Sequence, residues 1–139
     1  MEIRMHTDGG ARGNPGPAAI AVVIKNHQGK VLEKFGKFIG NSTNNDAEYK
    51  ALLEGMKKAK TLKPESVSCY LDSELVVKQM TGLYKVKNQN IKKHWEEIKR
   101  LEFEIGQVKY HHVPREKNKE ADALVNKVLD SPHKNDIKK

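Results

Sequence analysis

Residues 2–8, "EIRMHTD", alternate between apolar and polar side chains. Ile3, Met5 and Thr7 fall on one face and the polar residues between them on the other. A period of two over this length predicts a strand with one buried face. The mostly apolar run at residues 18–27, "AAIAVVIKNH", predicts a second strand.

The second run is followed by a turn and then by a helical pattern. "NHQGK" separates it from "VLEKFGKFI", so residues 18–39 should form a hairpin. Beyond "GNSTNN", the apolar side chains of Leu52, Met56 and Ala59 recur at helical spacing. This spacing predicts a helix over about residues 45–60.

The second half of the chain alternates between strands and helices. Residues 66–72 and 107–113 predict a fourth and a fifth strand. Between them, "SELVVKQM" predicts a short helix with Ser73 as its N-cap, and "NIKKHWEEIKRLEFEI" predicts a longer one. Asn118 can cap a last helix.

This order of elements predicts one α/β domain over residues 1–130. The early hairpin indicates antiparallel pairing, while the helical crossovers before strands four and five indicate parallel pairing. We therefore expect a mixed five-stranded sheet, with three antiparallel strands and then two parallel ones, and helices on its faces. The polar, basic tail at residues 131–139 is expected to be disordered.

The charge of the chain narrows the choice of partner. With 26 Lys and Arg against 18 Asp and Glu, the net charge is +8, which favours nucleic acid first and a membrane surface second. A soluble basic protein that binds neither nucleic acid nor a membrane would have the same net charge, so this alternative stays open. The one cysteine excludes an internal disulfide and favours a reducing compartment. No apolar run has the length of a membrane span. We expect a cytoplasmic monomer that does not enter membranes.

Two carboxylates are predicted at the same edge of the sheet. Asp8 ends the first strand and Asp72 ends the fourth. If these strands lie side by side and parallel, both side chains reach the carboxyl edge, where ligands of open α/β sheets bind.

Two further carboxylates fall on the inward stripes of predicted helices. Glu48 shares a stripe with Leu52, and Asp122 shares one with Val125. An acid facing a core is costly unless it is paired, and converging carboxylates favour a hard divalent cation. Oxygen ligands alone favour Mg²⁺ or Mn²⁺ over Zn²⁺.

Each acid also has a simpler interpretation. Glu48 could complete a capping box that Asn45 begins, and Asp72 could be an ordinary acid at a helix start. Asp8 could shape its turn, and Asp122 could be solvated. One metal site accounts for all four more economically.

Four segments, "TDGGARGNPGPA", "STNNDAEYKALLEGM", "YLDSELVVKQM" and "HHVPREKNKEADALVN", together resemble the type 1 ribonuclease H family. They occur in the order of that family and cover nearly all of the chain except the tail. The resemblance implies that two Mg²⁺ or Mn²⁺ ions are held by its four acids, here Asp8, Glu48, Asp72 and Asp122. It implies an endonuclease that cuts the RNA strand of RNA/DNA hybrids and leaves 5′-phosphate and 3′-hydroxyl ends.

The resemblance also implies residues that contact the substrate or assist turnover. The substrate positions are Gly9, Asn14, Thr43, Asn44, Asn45 and Asn118. Turn and cap chemistry would suit the Asn and Thr residues among them equally well. Some members of the family carry a histidine before the last acid, which assists product release. His112 fits this position by spacing, and Arg115 in "PREKN" is the alternative that we prefer.

The chain departs from the family pattern in two places. Glu74 stands where many members have a glutamine, and the basic handle of many members has no room in "TGLYKVKNQNIKKHW". That stretch offers a smaller basic patch, formed by Lys85, Lys87, Lys92 and Lys93, which could equally be a solvated face. The missing handle leaves double-stranded RNA or DNA as alternative substrates. A module that binds nucleic acid without cutting it is a third possibility. Four acids argue against it, because negative charge beside phosphates would weaken binding.

Overall fold

The structure is a computed structural model that describes residues 1–131 and 136–138. Its strands are β1 (Glu2–Ala11), β2 (Gly16–Asn26), β3 (Val31–Ser42), β4 (Ser66–Leu71), β5 (Gln107–His112) and β6 (Ile137–Lys138). Its helices are α1 (Asn44–Thr61), α2 (Glu74–Met80), α3 (Gln89–Ile105) and α4 (Lys119–Asp130), with a single 3₁₀ turn at Arg115–Lys117.

The sheet has the mixed topology that the sequence predicts. Its strand order is β5-β4-β1-β2-β3-β6. β1, β2 and β3 pair antiparallel, whereas β4 pairs parallel to β1 and β5 parallel to β4. The parallel strands place the carboxyl ends of β1 and β4 at one edge, as the crossover rule requires.

A short sixth strand extends the sheet beyond the five predicted strands. Ile137 and Lys138 pair antiparallel with β3, and the Phe38 amide donates to the Asp136 carboxylate at 3.1 Å. Ile137 also packs against the cluster under α4. The prediction of a disordered tail is therefore wrong for residues 136–138, because one apolar side chain and one acceptor tie them down. Residues 132–135 and 139 lie outside the described part of the chain.

Helices cover the two faces of the sheet unequally. α1, α2 and α3 enclose the main core on one face, around Met5, Tyr49, Leu52 and Ile98. On the other face α4 packs mainly on β2 and β3. The outer face of β4 and β5 is therefore left without a covering helix among the described residues. In the same part of the chain, no helix combines the length and the apolar character that crossing a membrane requires.

Candidate active site

The structure brings Asp8 and Asp72 together at the carboxyl edge of the sheet. β1 and β4 run parallel, with His6 opposite Tyr70, and each acid follows two residues later. Asp8 is 6% exposed. Carboxylate oxygens of Asp8, Glu48 and Asp72 lie within 4.8 Å of one another. The alternation along the two strands correctly predicted that Asp8 and Asp72 lie side by side at this edge.

Glu48 reaches this cluster from the first turns of α1. Its Oε1 accepts a hydrogen bond from the Gly9 amide at 2.5 Å. The helix is capped by Thr43, whose hydroxyl accepts from the Asp46 amide at 3.1 Å. The capping-box interpretation of Glu48 therefore fails, because the N-cap is Thr43 rather than Asn45, and the acid three residues after this cap is Asp46.

Asp122 belongs to the same groove but stands outside the cluster of three. The groove has a volume of about 620 Å³ and is lined by all four acids together with Asn44, Asn45 and Arg115. The charge of Asp122 is close enough to raise the pKa of Asp8. The four acids therefore border one groove, as predicted.

Burial and mutual repulsion favour the protonated acids. Burial, followed by the charges of Asp72 and Asp122, raises the pKa of Asp8 to about 7. Burial, followed by the charges of Asp8 and Asp72, raises the pKa of Glu48 well above its usual range. Such carboxylates need a cation if they are to stay charged at neutral pH.

The donor set of the cluster fits a hard divalent cation. Asp72 Oδ2 is buried and has no hydrogen-bond partner among the described residues. Glu48 is held by one backbone amide, so its second oxygen remains available. All of the donors are carboxylate oxygens, which suit Mg²⁺ or Mn²⁺ and are a poor set for Zn²⁺. A cation here would satisfy the orphaned oxygen and offset the repulsion.

Two of the predicted substrate residues tie the β1–β2 loop to the start of α1. Asn14 Oδ1 accepts from the Asn44 amide at 3.0 Å, and Asn44 Oδ1 accepts from the Ala11 amide at 2.8 Å. The side-chain oxygens of Asn14 and Asn44 therefore have the local structural role that turn and cap chemistry predicted. Their amide NH₂ groups form no hydrogen bond within the described chain and stay available as donors.

Thr43 and Asn45 border a second groove of about 660 Å³ beside the first. Asn45 lines both grooves. The second groove also carries Lys50 and Lys93, which makes it suitable for a phosphate. Lys50 is paired with Asp46 at 3.1 Å.

Asn118 occupies the cap position of α4, but its side chain forms no cap hydrogen bond. Instead Nδ2 donates to the Thr7 carbonyl at 2.9 Å, and the residue is only 1% exposed. The predicted capping role is therefore wrong. Asn118 ties α4 to β1 one residue before Asp8, so it holds Asp122 and Asp8 in position relative to each other.

The two candidates for assisting turnover are placed differently. Arg115 lines the main groove, and its charge lowers the pKa of Asp8 against the effect of burial. His112 ends β5, with Nδ1 at 3.9 Å from a carboxylate oxygen of Glu74. It is not among the residues that line the groove.

Sequence reasoning missed two residues that line the groove. Asn126 stands one turn after Asp122, and its Nδ2 donates to Asp122 Oδ2 at 3.5 Å. Arg12 reaches Asn126 at 3.4 Å and also pairs with Asp130 at 2.5 Å. The helical spacing of Asn126 from Asp122 is the signal that could have found it, whereas the position of Arg12 depends on the loop conformation.

The fold and the carboxylate cluster define an α/β protein of the ribonuclease H-like class, and comparison with known proteins specifies the family. The family model described as "Reverse transcriptase-like" matches residues 6–128. The structure of RNase H1 from the archaeon Halobacterium salinarum matches with a TM-score of 0.90 at 35% identity, covering 94% of this chain and 98% of that one. The chain belongs to the type 1 ribonuclease H family.

Two further relatives set the scope of this assignment. LC11-RNase H1, solved in complex with an RNA/DNA hybrid, is 42% identical with a TM-score of 0.85 over 90% of this chain and 94% of that one. The bifunctional protein Rv2228c of Mycobacterium tuberculosis is 39% identical over 94% of this chain. The chain spans only 36% of the length of that relative.

Proposed function

We propose that this chain is an endonuclease that cuts the RNA strand of RNA/DNA hybrids with the help of two Mg²⁺ or Mn²⁺ ions. The observation that carries the proposal is the convergence of Asp8, Glu48 and Asp72 within 4.8 Å in an open groove. A relative of similar fold has been solved with an RNA/DNA hybrid, which supports this substrate.

The four acids would hold the divalent cations, which would in turn bind the reacting phosphate. When bound, the divalent ions activate a water molecule and stabilise the leaving oxygen. Oxygens of Asp8, Glu48 and Asp72 lie within 4.8 Å of one another, and Glu48 is held in place by the Gly9 amide. Asp122 reaches the groove from α4, where Asn126 donates to it. No nucleophilic side chain is required.

Arg115 is the residue that we propose assists turnover. It lines the groove beside the acids, whereas His112 lies outside it. A guanidinium remains charged at all working pH values, so it can hold the phosphate of the cut strand until release. The free amides of Asn14, Asn44 and Asn45 suit contacts with sugar hydroxyls in a wide, shallow minor groove.

Recognition of the sugar predicts how a modified substrate behaves. We expect a hybrid whose RNA strand carries a short run of deoxynucleotides to resist cutting inside that run, because the 2′-hydroxyl contacts are lost there. Exchange of base pairs with the sugars unchanged should alter the rate far less. Gel mapping of the cut sites with Mg²⁺ or Mn²⁺ measures both effects. Efficient cutting within the deoxy run would instead indicate a DNA nuclease.

The basic patch after α2 predicts a strong dependence of binding on salt. Lys85 and Lys87 are exposed and form no ion pair with a described residue. If they contact phosphates, changing both to Ala should flatten the slope of log affinity against log salt by about one per lysine. Lys30 and Lys63 provide the matched control pair, because both are exposed and lie at the end of the sheet opposite the four acids. Equal slopes for both double variants would place the substrate elsewhere.

Double-stranded RNA is a second candidate substrate because of the short connection between α2 and α3. Only residues 81–88 separate the two helices, so no handle extends from this region to grip the second strand. The grip on that strand then rests on the second groove, around Thr43 and Lys93. Discrimination against a second strand of RNA is expected to be loose.

A further inference from the structure

Three aromatic rings form a ladder on the face of the sheet that α4 leaves open. His6, Tyr70 and His111 stand on the neighbouring strands β1, β4 and β5 and are paired in register. The ring centroids are 4.8 Å apart at both steps, with interplanar angles of 13° and 20°. We call these three side chains the aromatic ladder.

The aromatic ladder has an open end at the edge of the sheet. β5 is the last strand on that side within residues 1–131 and 136–138, so none of the described strands lies beyond His111. His111 is exposed, whereas His6 and Tyr70 are half-buried. One more flat ring can therefore stack on the outer face of His111 and continue the ladder.

Positive charge lies beside the aromatic ladder. One row further from the acids, Arg4, Ser68 and Lys109 are paired across the same three strands. Arg4 and Lys109 are exposed, and neither forms an ion pair with a residue that the structure describes. Glu2 lies on the far side of this row, where it accepts from Ser66 at 3.4 Å. Both charged side chains of this row, Arg4 and Lys109, are thus cations.

The aromatic ladder also lies close to the candidate active site. Asp8 and Asp72 follow His6 and Tyr70 by two residues on the same strands and the same face. Two residues of a parallel strand span roughly 6.6 Å. The connection from β5 to α4 passes beside this path, because Asn118 donates to the Thr7 carbonyl and Lys117 borders a pocket with His6. A strand that leaves the groove over this face would pass this connection, then meet the rings and then the cations.

We propose that this face binds unpaired nucleotides of a single-stranded extension that adjoins the duplex in the groove. An unpaired base stacks on His111, and its backbone phosphates lie against Arg4 and Lys109. Aromatic faces combined with cations are the recurring means of binding single strands, whereas bases inside a duplex have no free face to offer. An acidic peptide would need the cations but not the rings.

The proposal deepens the proposed function, on which it rests for the presence of a duplex in the groove. Binding can be measured without metal, so that no cutting occurs. The probes are a labelled blunt RNA/DNA hybrid and the same hybrid with a short single-stranded extension, tested at each end in turn by fluorescence anisotropy. We expect the unaltered protein to bind one of the extended hybrids about five-fold more tightly than the blunt one, or better.

His111→Ala should remove this preference and leave the affinity for the blunt hybrid unchanged. His111→Phe keeps a ring and should retain the preference. This variant distinguishes an effect of ring stacking from an effect of the imidazole's hydrogen bonds or charge. His27→Ala is the matched control, because His27 is exposed in the turn between β2 and β3, at the other end of the sheet. Lys109→Ala should weaken the preference and lower its salt dependence.

Two results would overturn the proposal. One is equal affinity of the unaltered protein for blunt and extended hybrids, and the other is a preference that His111→Ala leaves intact. A change in self-association or in acidic-peptide binding on His111→Ala, with the preference intact, would assign the face to a protein partner instead. Failure to bind even the blunt hybrid would contradict the proposed function.

Discussion

Asp8→Asn should lower the rate of cleavage by roughly a thousand-fold or more while the protein remains folded. Asp8 is the acid whose pKa is raised by burial and by two neighbouring carboxylates, and an amide there offers a cation neither charge nor a second hard oxygen. Cleavage of a labelled hybrid under single-turnover conditions, with circular dichroism to verify folding, measures the effect. Glu120→Gln is the control, because this acid lies in the first turn of α4 but pairs with Lys25 and Lys34, away from the groove.

The same substitution should make the metal-free protein more stable. The folded-state pKa of Asp8, about 7, lies above its ordinary value, so the stability that depends on this group is full at about pH 4 and is lost as the pH rises through 7. Asp8→Asn removes that loss. Melts in EDTA should show a gain of several °C at pH 8 and a much smaller gain at pH 4. A loss of stability at both pH values would mean that Asp8 supports the fold rather than a cation.

Gly9→Ala should cost about 3 kcal/mol of folding free energy or more. A Cβ at this position would lie 2.2 Å from the Ala47 carbonyl oxygen and 2.6 Å from the Glu48 amide nitrogen, both of them backbone atoms of α1. The helix would have to move away from β1 and take Glu48 out of the cluster. Urea unfolding measures the loss, and cleavage should fall with it.

Gly10→Ala provides the matched control for this prediction. The added Cβ would lie 3.6 Å from a Val125 methyl group, which is an ordinary contact. We expect a change in stability of less than about 1 kcal/mol. Equal costs at the two positions would show that this end of β1 needs glycine for conformational freedom and not for its close approach to α1. Gly9, which the sequence predicted to approach the substrate, therefore approaches α1, the helix that carries Glu48.

Most of the sheet could be predicted from the sequence because its patterns are strong. The period of two in β1 placed Ile3, Met5 and Thr7 inside, and all three are at most 1% exposed. The sixth strand could not be predicted in this way. Ile137 and Lys138 form too short a run to show a period, and their pairing depends on β3 and on the distant Phe38 amide.

A site residue could be predicted from the sequence where the pattern of its own strand or helix was enough to place it. Asp8 and Asp72 follow from strand phase, and Glu48 follows from the inward stripe of α1. Asn118 shows the limit of such reasoning, because its partner is a carbonyl 111 residues away, at Thr7. The aromatic ladder was equally hidden, since its rings come from three strands whose order along the sheet differs from their order along the chain.

The central claim, that this chain cuts the RNA strand of a hybrid, is tested most directly on matched duplexes. RNA/DNA, RNA/RNA and DNA/DNA duplexes of one sequence should be incubated with the protein in Mg²⁺, in Mn²⁺ and in EDTA. We expect cutting of the RNA strand of the hybrid in either metal, weaker cutting of RNA/RNA, and none of DNA/DNA or in EDTA. Cutting of DNA/DNA at a rate equal to that of the hybrid, or cutting of the hybrid that persists in EDTA, would contradict the account.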